Sequence, residues 1–386
     1  MTNIYNKINR DWPKILKKIR EKDLNVLIKK RYFGHFDYLV PDSEGGKRIL
    51  PLTFLDTVGC YHTLRGGCTM CNFNTRNKPS ADYKKQMLRN AKRCFDYLGK
   101  TNKGYSKKIY HISTGGSFFD EQEVPYEVRK YILDYIGEKN KNNRVVFSTE
   151  SRLEFINEKK IIHLRKTLGE DAWIVLGFGV ESTNPLIREG CVFKKLPANL
   201  KEKIYLLEKY NIKRSIHVIV KPPFLTERES VEDVVKSVND LFRDYLASSV
   251  VVMTMHSRPN TAVRFLEDKG MYSLPSIWTT VEIVRRLGPE LCKKIRFNGF
   301  KFSSRTKYSN KINSVKGCKD CHHKIRPKIE ALKNKTEEDW YLLIKEADFI
   351  NCKCKLDWQK KMLEEPDQNL EDRIRNNLNY LKKELL

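Results

Sequence analysis

The stretch Gly59-Cys60-Tyr61-His62-Thr63-Leu64-Arg65-Gly66-Gly67-Cys68-Thr69-Met70-Cys71-Asn72-Phe73 follows directly on Leu52 to Asp56, which reads as a strand. It sets three thiols at C-x7-C-x2-C spacing in a glycine-containing loop. Thiolates bind soft metals and iron–sulfur clusters. Three on a four-iron cluster leave one iron open to a ligand, whereas a structural zinc site closes its shell with four. On spacing alone, a zinc site completed by His62 and three unrelated buried cysteines stay open beside the cluster.

Outward from this loop, β-branched or apolar runs alternate with segments of helical period. Further strands are predicted at Lys108 to Ser113, Arg144 to Thr149, Trp173 to Val180, Lys213 to Val220 and Ser249 to Met255. Helices are predicted near 81 to 98, 124 to 139, 157 to 168, 197 to 210 and 228 to 245. Met87, Leu88, Ala91, Cys94, Phe95 and Leu98 share one helical face, which makes Cys94 a core residue. Six strands alternating with helices imply parallel pairing and right-handed crossovers, and six in about 200 residues suit a partial barrel. Chemistry in such folds gathers at the C-terminal ends of the strands.

Those ends carry the next signals. The second strand runs into Ser113-Thr114-Gly115-Gly116-Ser117, where paired glycines let backbone approach a small ligand. The third ends in Glu150-Ser151-Arg152 and the fourth in Gly177-Phe178-Gly179-Val180-Glu181. Each carboxylate taken alone also reads as a solvated charge or helix cap. Lys221 after the fifth strand would pair with a substrate or cofactor carboxylate, or snorkel to water.

The chain has 386 residues, 40% of them hydrophobic and 32% charged, which excludes disordered and fibrous classes. No secretory pattern opens the chain, and no stretch approaches the roughly 18 apolar residues of a spanning helix, so a cytoplasmic protein without membrane contact is expected. In that reducing compartment ten cysteines read as ligands, nucleophiles or core residues rather than disulfides. The net charge is +26. It is concentrated: residues 293 to 335 hold 14 Lys or Arg against only Asp320 and Glu330, and residues 1 to 50 hold 12 basic against 6 acidic.

The three-cysteine loop, the GG after the second strand and the polar strand ends resemble the radical S-adenosylmethionine superfamily. GCYHTLRGGCTMCNF, STGGSFFD, GFGVES and Val220-Lys221-Pro222-Pro223 further resemble the archaeal radical enzymes of archaeosine biosynthesis in tRNA, relatives of the elongator catalytic subunit. The loop departs from the superfamily's best-known C-x3-C-x2-C spacing, which points to a subfamily. The resemblance implies a partial (β/α)6 TIM-like barrel. It implies a [4Fe–4S] cluster on Cys60, Cys68 and Cys71, and S-adenosylmethionine held by Gly115, Gly116 and Ser117 with Glu150, Arg152 and Glu181. Lys221 joins the three cysteines as an expected catalytic residue. The implied activity is lyase-like: radical C–N cleavage in tRNA whose D-loop carries a lysine-adducted 7-cyano-7-deazaguanine, giving archaeosine. A lysine-transferring synthase subunit and a ferredoxin-like electron donor are the implied partners.

Downstream, Cys318-x2-Cys321 and Cys352-x-Cys354 supply four thiolates, the donor set of structural zinc and also of an auxiliary cluster. Zinc is the expectation, with His322 or His323 as substitute ligands. The pairs bracket a helix opening at Thr336-Glu337-Glu338-Asp339, a capping-box pattern. Phe297, Phe300, Phe302 and Tyr308 interleave with Arg296, Lys301, Arg305, Lys307 and Lys311. Cations for phosphates and aromatics for unstacked bases suit RNA, although the phenylalanines would equally anchor a strand. The domain reading is a basic helical extension over 1–49 with a helix from Pro13 to Lys30, a barrel over 50–290, and a basic, metal-binding region over 291–386. Another elongator-like RNA modification and a non-catalytic zinc-dependent RNA-binding protein are the competing functions.

Overall fold

The computed structural model describes residues 2–21, 34–41, 47–55, 57–72, 82–101, 107–140, 144–300, 313–333 and 335–386. Eight strands form one sheet in chain order. A hairpin of β1 (Gly34–Pro41) and β2 (Lys47–Phe54) opens it antiparallel. Then β3 (Lys107–Ser113), β4 (Arg144–Glu150), β5 (Trp173–Glu181), β6 (Lys213–Val220), β7 (Ser249–Thr254) and β8 (Ile295–Asn298) each join parallel to the strand before. The helices between them are α2 (Tyr83–Thr101), α3 (Tyr126–Asn140), α4 (Glu158–Leu168), α5 (Leu200–Lys209) and α6 (Glu227–Asp244), with α7 (Ala262–Asp268) and α8 (Ile277–Cys292) linking β7 to β8. Because β1 and β8 are edges, the barrel is open among the described residues.

Alternation along the strands decides which face meets the helices. Tyr110, Ile112, Phe147, Ile174, Leu176, Ile216, Val218 and Val250 are buried with helix residues such as Phe95, Ile132 and Val234 in one core. The intervening positions, Glu150, Gly177, Gly179 and His217 among them, line the concave interior. Thr226 caps α6 with a complete capping box closed by Glu229, which fixes where the chain leaves β6.

Two expectations are corrected. The N-terminal helix, α1, is Thr2–Glu21 and continues through Pro13 rather than starting there. Ile4, Ile8, Trp12, Ile15, Leu16 and Ile19 form a buried stripe at helical spacing, enough to offset the roughly 3 kcal/mol of an interior proline. Strand β8 lies in the segment read as RNA-binding: Phe297 and Phe300 are buried core residues, not stacking platforms. Phe302, Tyr308 and Lys301, Arg305, Lys307 and Lys311 lie outside the described residues. The sheet itself begins at β1 and ends at β8.

The C-terminal helices are α9 (Lys319–Lys324), α10 (Arg326–Ala331), α11 (Glu337–Phe349), α12 (Lys353–Leu363) and α13 (Leu370–Leu385). The expected capping box at Thr336 is formed with Asp339. Helix α11 is continuous with the barrel core, its Trp340 indole donating to the Val284 carbonyl at 3.1 Å. Helix α13 returns to α1, where Ile374, Leu378 and Leu381 meet the α1 stripe. No described helix is long and apolar enough to cross a membrane.

Candidate active site and metal centre

A cavity of about 220 Å³ opens at the C-terminal ends of the strands. Its lining brings together Cys60, Cys68 and Cys71, then Gly115 and Gly116 after β3, Glu150 and Arg152 at the end of β4, and Glu181 closing β5. Two sequence candidates lie elsewhere. Ser117 is buried behind the wall, its hydroxyl accepting from the Arg152 amide at 3.1 Å. Lys221 donates to Glu227 Oε1 at 2.7 Å and Ser273 Oγ at 3.3 Å, a buried ion pair outside the cavity lining. Glu227, in the first turn of α6, supplies the carboxylate that a ligand was expected to bring.

The cysteine loop is fixed from two sides. Cys60 caps a single helical turn, Tyr61–Leu64. Beyond it, the Cys68 amide donates to Phe193 O at 3.3 Å, the Thr69 amide to Val192 O at 2.9 Å and the Thr69 hydroxyl to Cys191 O at 2.8 Å. Cys68 itself sits in the left-handed region at φ 56°, and Glu181 across the cavity at φ 68°. Such residues cost about 1–2 kcal/mol each and gather at functional sites. A register shift between β5 and β6 at Gly179 to Glu181 aims the Glu181 side chain.

Gly116 explains one half of the GG signal. A Cβ there would stand 2.5 Å from Cys60 Cβ, so glycine lets the β3 loop lie directly against the first cysteine. Beneath it Glu123 is buried, accepting from Thr57 Oγ1 at 2.9 Å and the Ser117 amide at 2.6 Å. Burial pushes its carboxyl up to about 7.

Positive charge faces the thiols. Burial drives Cys68 up to about 12, and Lys194 and Arg152 act in the opposite direction. Arg152 pairs with Glu154 and donates to Lys195 O at 3.2 Å, while Lys194 holds Glu181 Oε1 at 2.7 Å. His62 is half-buried, and desolvation holds it down to about 3, hence neutral, with Nε2 donating to Phe193 O at 2.8 Å. That nitrogen is engaged away from the thiols. Three thiols on one loop, cations to offset their ionisation and an adjoining cavity together fit a cluster with an open coordination position.

Sequence reading missed Arg20, Glu123, Lys194 and His217. Only His217 carried a usable signal, since alternation against Ile216 and Val218 places it on the interior face. Glu123 sits in the acidic run Asp120 to Glu123 and Lys194 in a lysine pair, both patterns that usually mark solvated surface.

The second cysteine group differs in geometry. Cys318, Cys321, Cys352 and Cys354 bring their sulfurs within 4.8 Å of one another. The separations from Cys321 are 3.3 Å to Cys318, 3.4 Å to Cys352 and 3.6 Å to Cys354. Four sulfurs about 2.3 Å from one tetrahedral ion stand about 3.8 Å apart, so this donor set fits a single ion. Cys354 is drawn down to about 7: burial opposes ionisation, and the Trp278 indole N–H at 3.3 Å and the Cys318 amide at 3.4 Å outweigh it. All four positions are filled by thiols, so neither His322 nor His323 is needed. Cys94, Cys191 and Cys292 are buried core residues.

A partial parallel barrel carrying three cysteines on the loop after its first parallel strand is the architecture of radical S-adenosylmethionine proteins. No protein-family model matches the chain. An uncharacterized protein, MJ0550 of Methanocaldococcus jannaschii, is 30% identical over 287 residues, covering 72% of this chain and 76% of that protein. Archaeosine synthase subunit beta of Methanosarcina acetivorans is 28% identical over 64% of this chain and 69% of its own length. Its namesake from Thermococcus kodakarensis is 24% identical over 63% and 74% respectively. Among solved structures, archaeal Elp3 of Methanocaldococcus infernus superposes with a TM-score of 0.43 at 16% identity, over 68% of this chain and little more than half, 58%, of the Elp3 chain. The chain belongs to one family with MJ0550, and it is similar to the archaeosine synthase beta subunits.

Proposed function

We propose that the protein is a radical S-adenosylmethionine enzyme of tRNA modification, removing the lysine carbon skeleton from a lysine-adducted 7-cyano-7-deazaguanine in the D-loop to leave archaeosine. The observation that carries this reading is the three-thiol loop opening onto a 220 Å³ cavity. The relatives named archaeosine synthase subunit beta supply the substrate class.

Cys60, Cys68 and Cys71 would hold the [4Fe–4S] cluster, and Gly115 and Gly116 would present backbone to the methionyl part of S-adenosylmethionine. Bound there, the two cofactors would supply radical hydrogen-abstraction chemistry toward the lysine carbon next to nitrogen. The chain's own residues position the partners and exclude water. Arg152 and Lys194 place positive charge beside the thiols, and Glu150 and Glu181 offer carboxylates to hydroxyl or ammonium groups in the cavity. Cys318, Cys321, Cys352 and Cys354 would hold zinc, pinning α9 and α12 against α8. A tRNA, the lysine-transferring subunit and a ferredoxin-like donor would be the partners, in the cytoplasm.

Lysine-adducted tRNA deuterated at the lysine ε-carbon tests the reaction. Deuterium should appear in 5′-deoxyadenosine; retention of all label in the lysine-derived product would contradict it.

A further inference from the structure

Arg20, on the last turn of α1, reaches across to the cysteine loop. Its guanidinium is buried, with the residue 6% exposed. One terminal nitrogen donates to Thr63 O at 2.9 Å. The other lies 2.5 Å from Gly67 O, 3.0 Å from Cys68 O and 3.4 Å from Cys71 O. A single planar fork thus gathers carbonyls from both ends of the loop, including those of two cysteines. It is also close enough to interact electrostatically with Cys60, Cys68 and Cys71.

Helix α1 is built to hold that fork still. Its Trp12 indole donates to Gly190 O at 2.8 Å, and its apolar stripe is buried against α13. The loop in turn leans on the helix: Gly66 has φ +83°, and a Cβ there would lie 2.8 Å from Pro13 O and 2.9 Å from Pro13 Cα. A buried guanidinium loses much hydration and leaves an uncompensated demand if its acceptors move, so the loop and α1 constrain each other. Lysine would keep the charge but not the fork.

We infer that Arg20 is a positioning residue for the cluster, fixing the conformation in which the three cysteines bind iron and adding a buried positive charge that favours the reduced form. This rests on the cluster reading above. It makes α1 a wall of the metal centre rather than an extension, and ties that wall to the C-terminal helix α13. Cluster potentials follow local charge and hydrogen bonding, so removing the cation shifts the potential in the negative direction.

The test compares wild type, Arg20→Gln, Arg20→Lys and the exposed control Lys18→Gln after anaerobic reconstitution. The readouts are iron and sulfide per chain and the midpoint potential followed by electron paramagnetic resonance. Arg20→Gln should retain less than half of the wild-type iron, and what it retains should titrate at a more negative potential. Arg20→Lys should lose iron similarly while keeping a potential near wild type, and Lys18→Gln should match wild type in both. Metal bound by the four C-terminal cysteines and the circular dichroism spectrum report folding. If Arg20→Gln does not fold, Arg20→Lys decides alone: iron loss in a folded chain supports the inference, full retention overturns it. Wild-type iron and an unchanged potential in folded Arg20→Gln also overturn it. A wild-type protein that assembles no cluster would instead sink the functional reading itself.

Discussion

The two cysteine groups use the same ligand and are built on opposite plans. The first strings Cys60, Cys68 and Cys71 along one loop, borders them with a cavity and surrounds them with Arg20, Arg152 and Lys194 from three different segments. The second draws four sulfurs from two segments within 4.8 Å of one another. The first leaves room at the thiols for a further ligand, and the second completes its own shell. Spacing in sequence separates them only by count, three against four; the cavity separates them by purpose.

Cysteine substitutions should break the comparison most sharply. Alanine at Cys60, Cys68 or Cys71 should reduce S-adenosylmethionine cleavage to background with the C-terminal ion retained, as metal analysis and 5′-deoxyadenosine assay would show. Serine at Cys321 should do the reverse, releasing that ion and lowering unfolding free energy by about 3 kcal/mol or more while first-site iron stays bound. Loss of both metals in either variant would show that the sites are not separable.

Smaller effects sharpen the picture. Gly116→Ala drives a methyl group into Cys60 and should lower the cleavage rate by about 10–100-fold, with the global melting temperature little changed. Asp233 lies away from both centres, buried, with Ser182 donating to one oxygen at 2.6 Å and no hydrogen-bond partner on Oδ2 among the described residues. Burial raises its carboxyl from 3.8 to about 7, so the folded state binds the proton more tightly than the unfolded chain does. Its contribution is therefore greatest below about pH 4 and lost as pH rises toward 7, at most on the order of 4 kcal/mol. Asp233→Asn should flatten that slope in denaturant titrations at several pH values; an unchanged slope would place the titration elsewhere. Last, neutralising cations between 293 and 335 should lower the salt dependence of tRNA binding by about one unit of slope per lost phosphate contact.

Much of the barrel was legible because its strands are amphipathic in a fixed sense. The run Lys213 to Val220 matches β6 residue for residue, and five other predicted strands overlap β2, β3, β4, β5 and β7. β8 was hidden inside a basic segment, where Arg296 and Asn298 face outward between buried Ile295 and Phe297. Helix α1 was misplaced because Pro13 is a good helix start, and only the buried stripe on both sides of it shows otherwise. Within the site, motif residues could be read because glycine pairs and cysteines have few ordinary uses. Arg20 could not: an arginine in a basic helix looks solvated until the loop it clamps is in place. Lys221 is the converse case, since its partner Glu227 lies six residues on and closes an ion pair with it internally.

The most direct measurement is anaerobic reconstitution of the wild-type chain followed by assay of S-adenosylmethionine cleavage under reducing conditions. An oxygen-sensitive four-iron spectrum, together with 5′-deoxyadenosine formation that vanishes in Cys68→Ala, is the predicted result. A chain that binds metal only at Cys318, Cys321, Cys352 and Cys354 and leaves S-adenosylmethionine intact would contradict it.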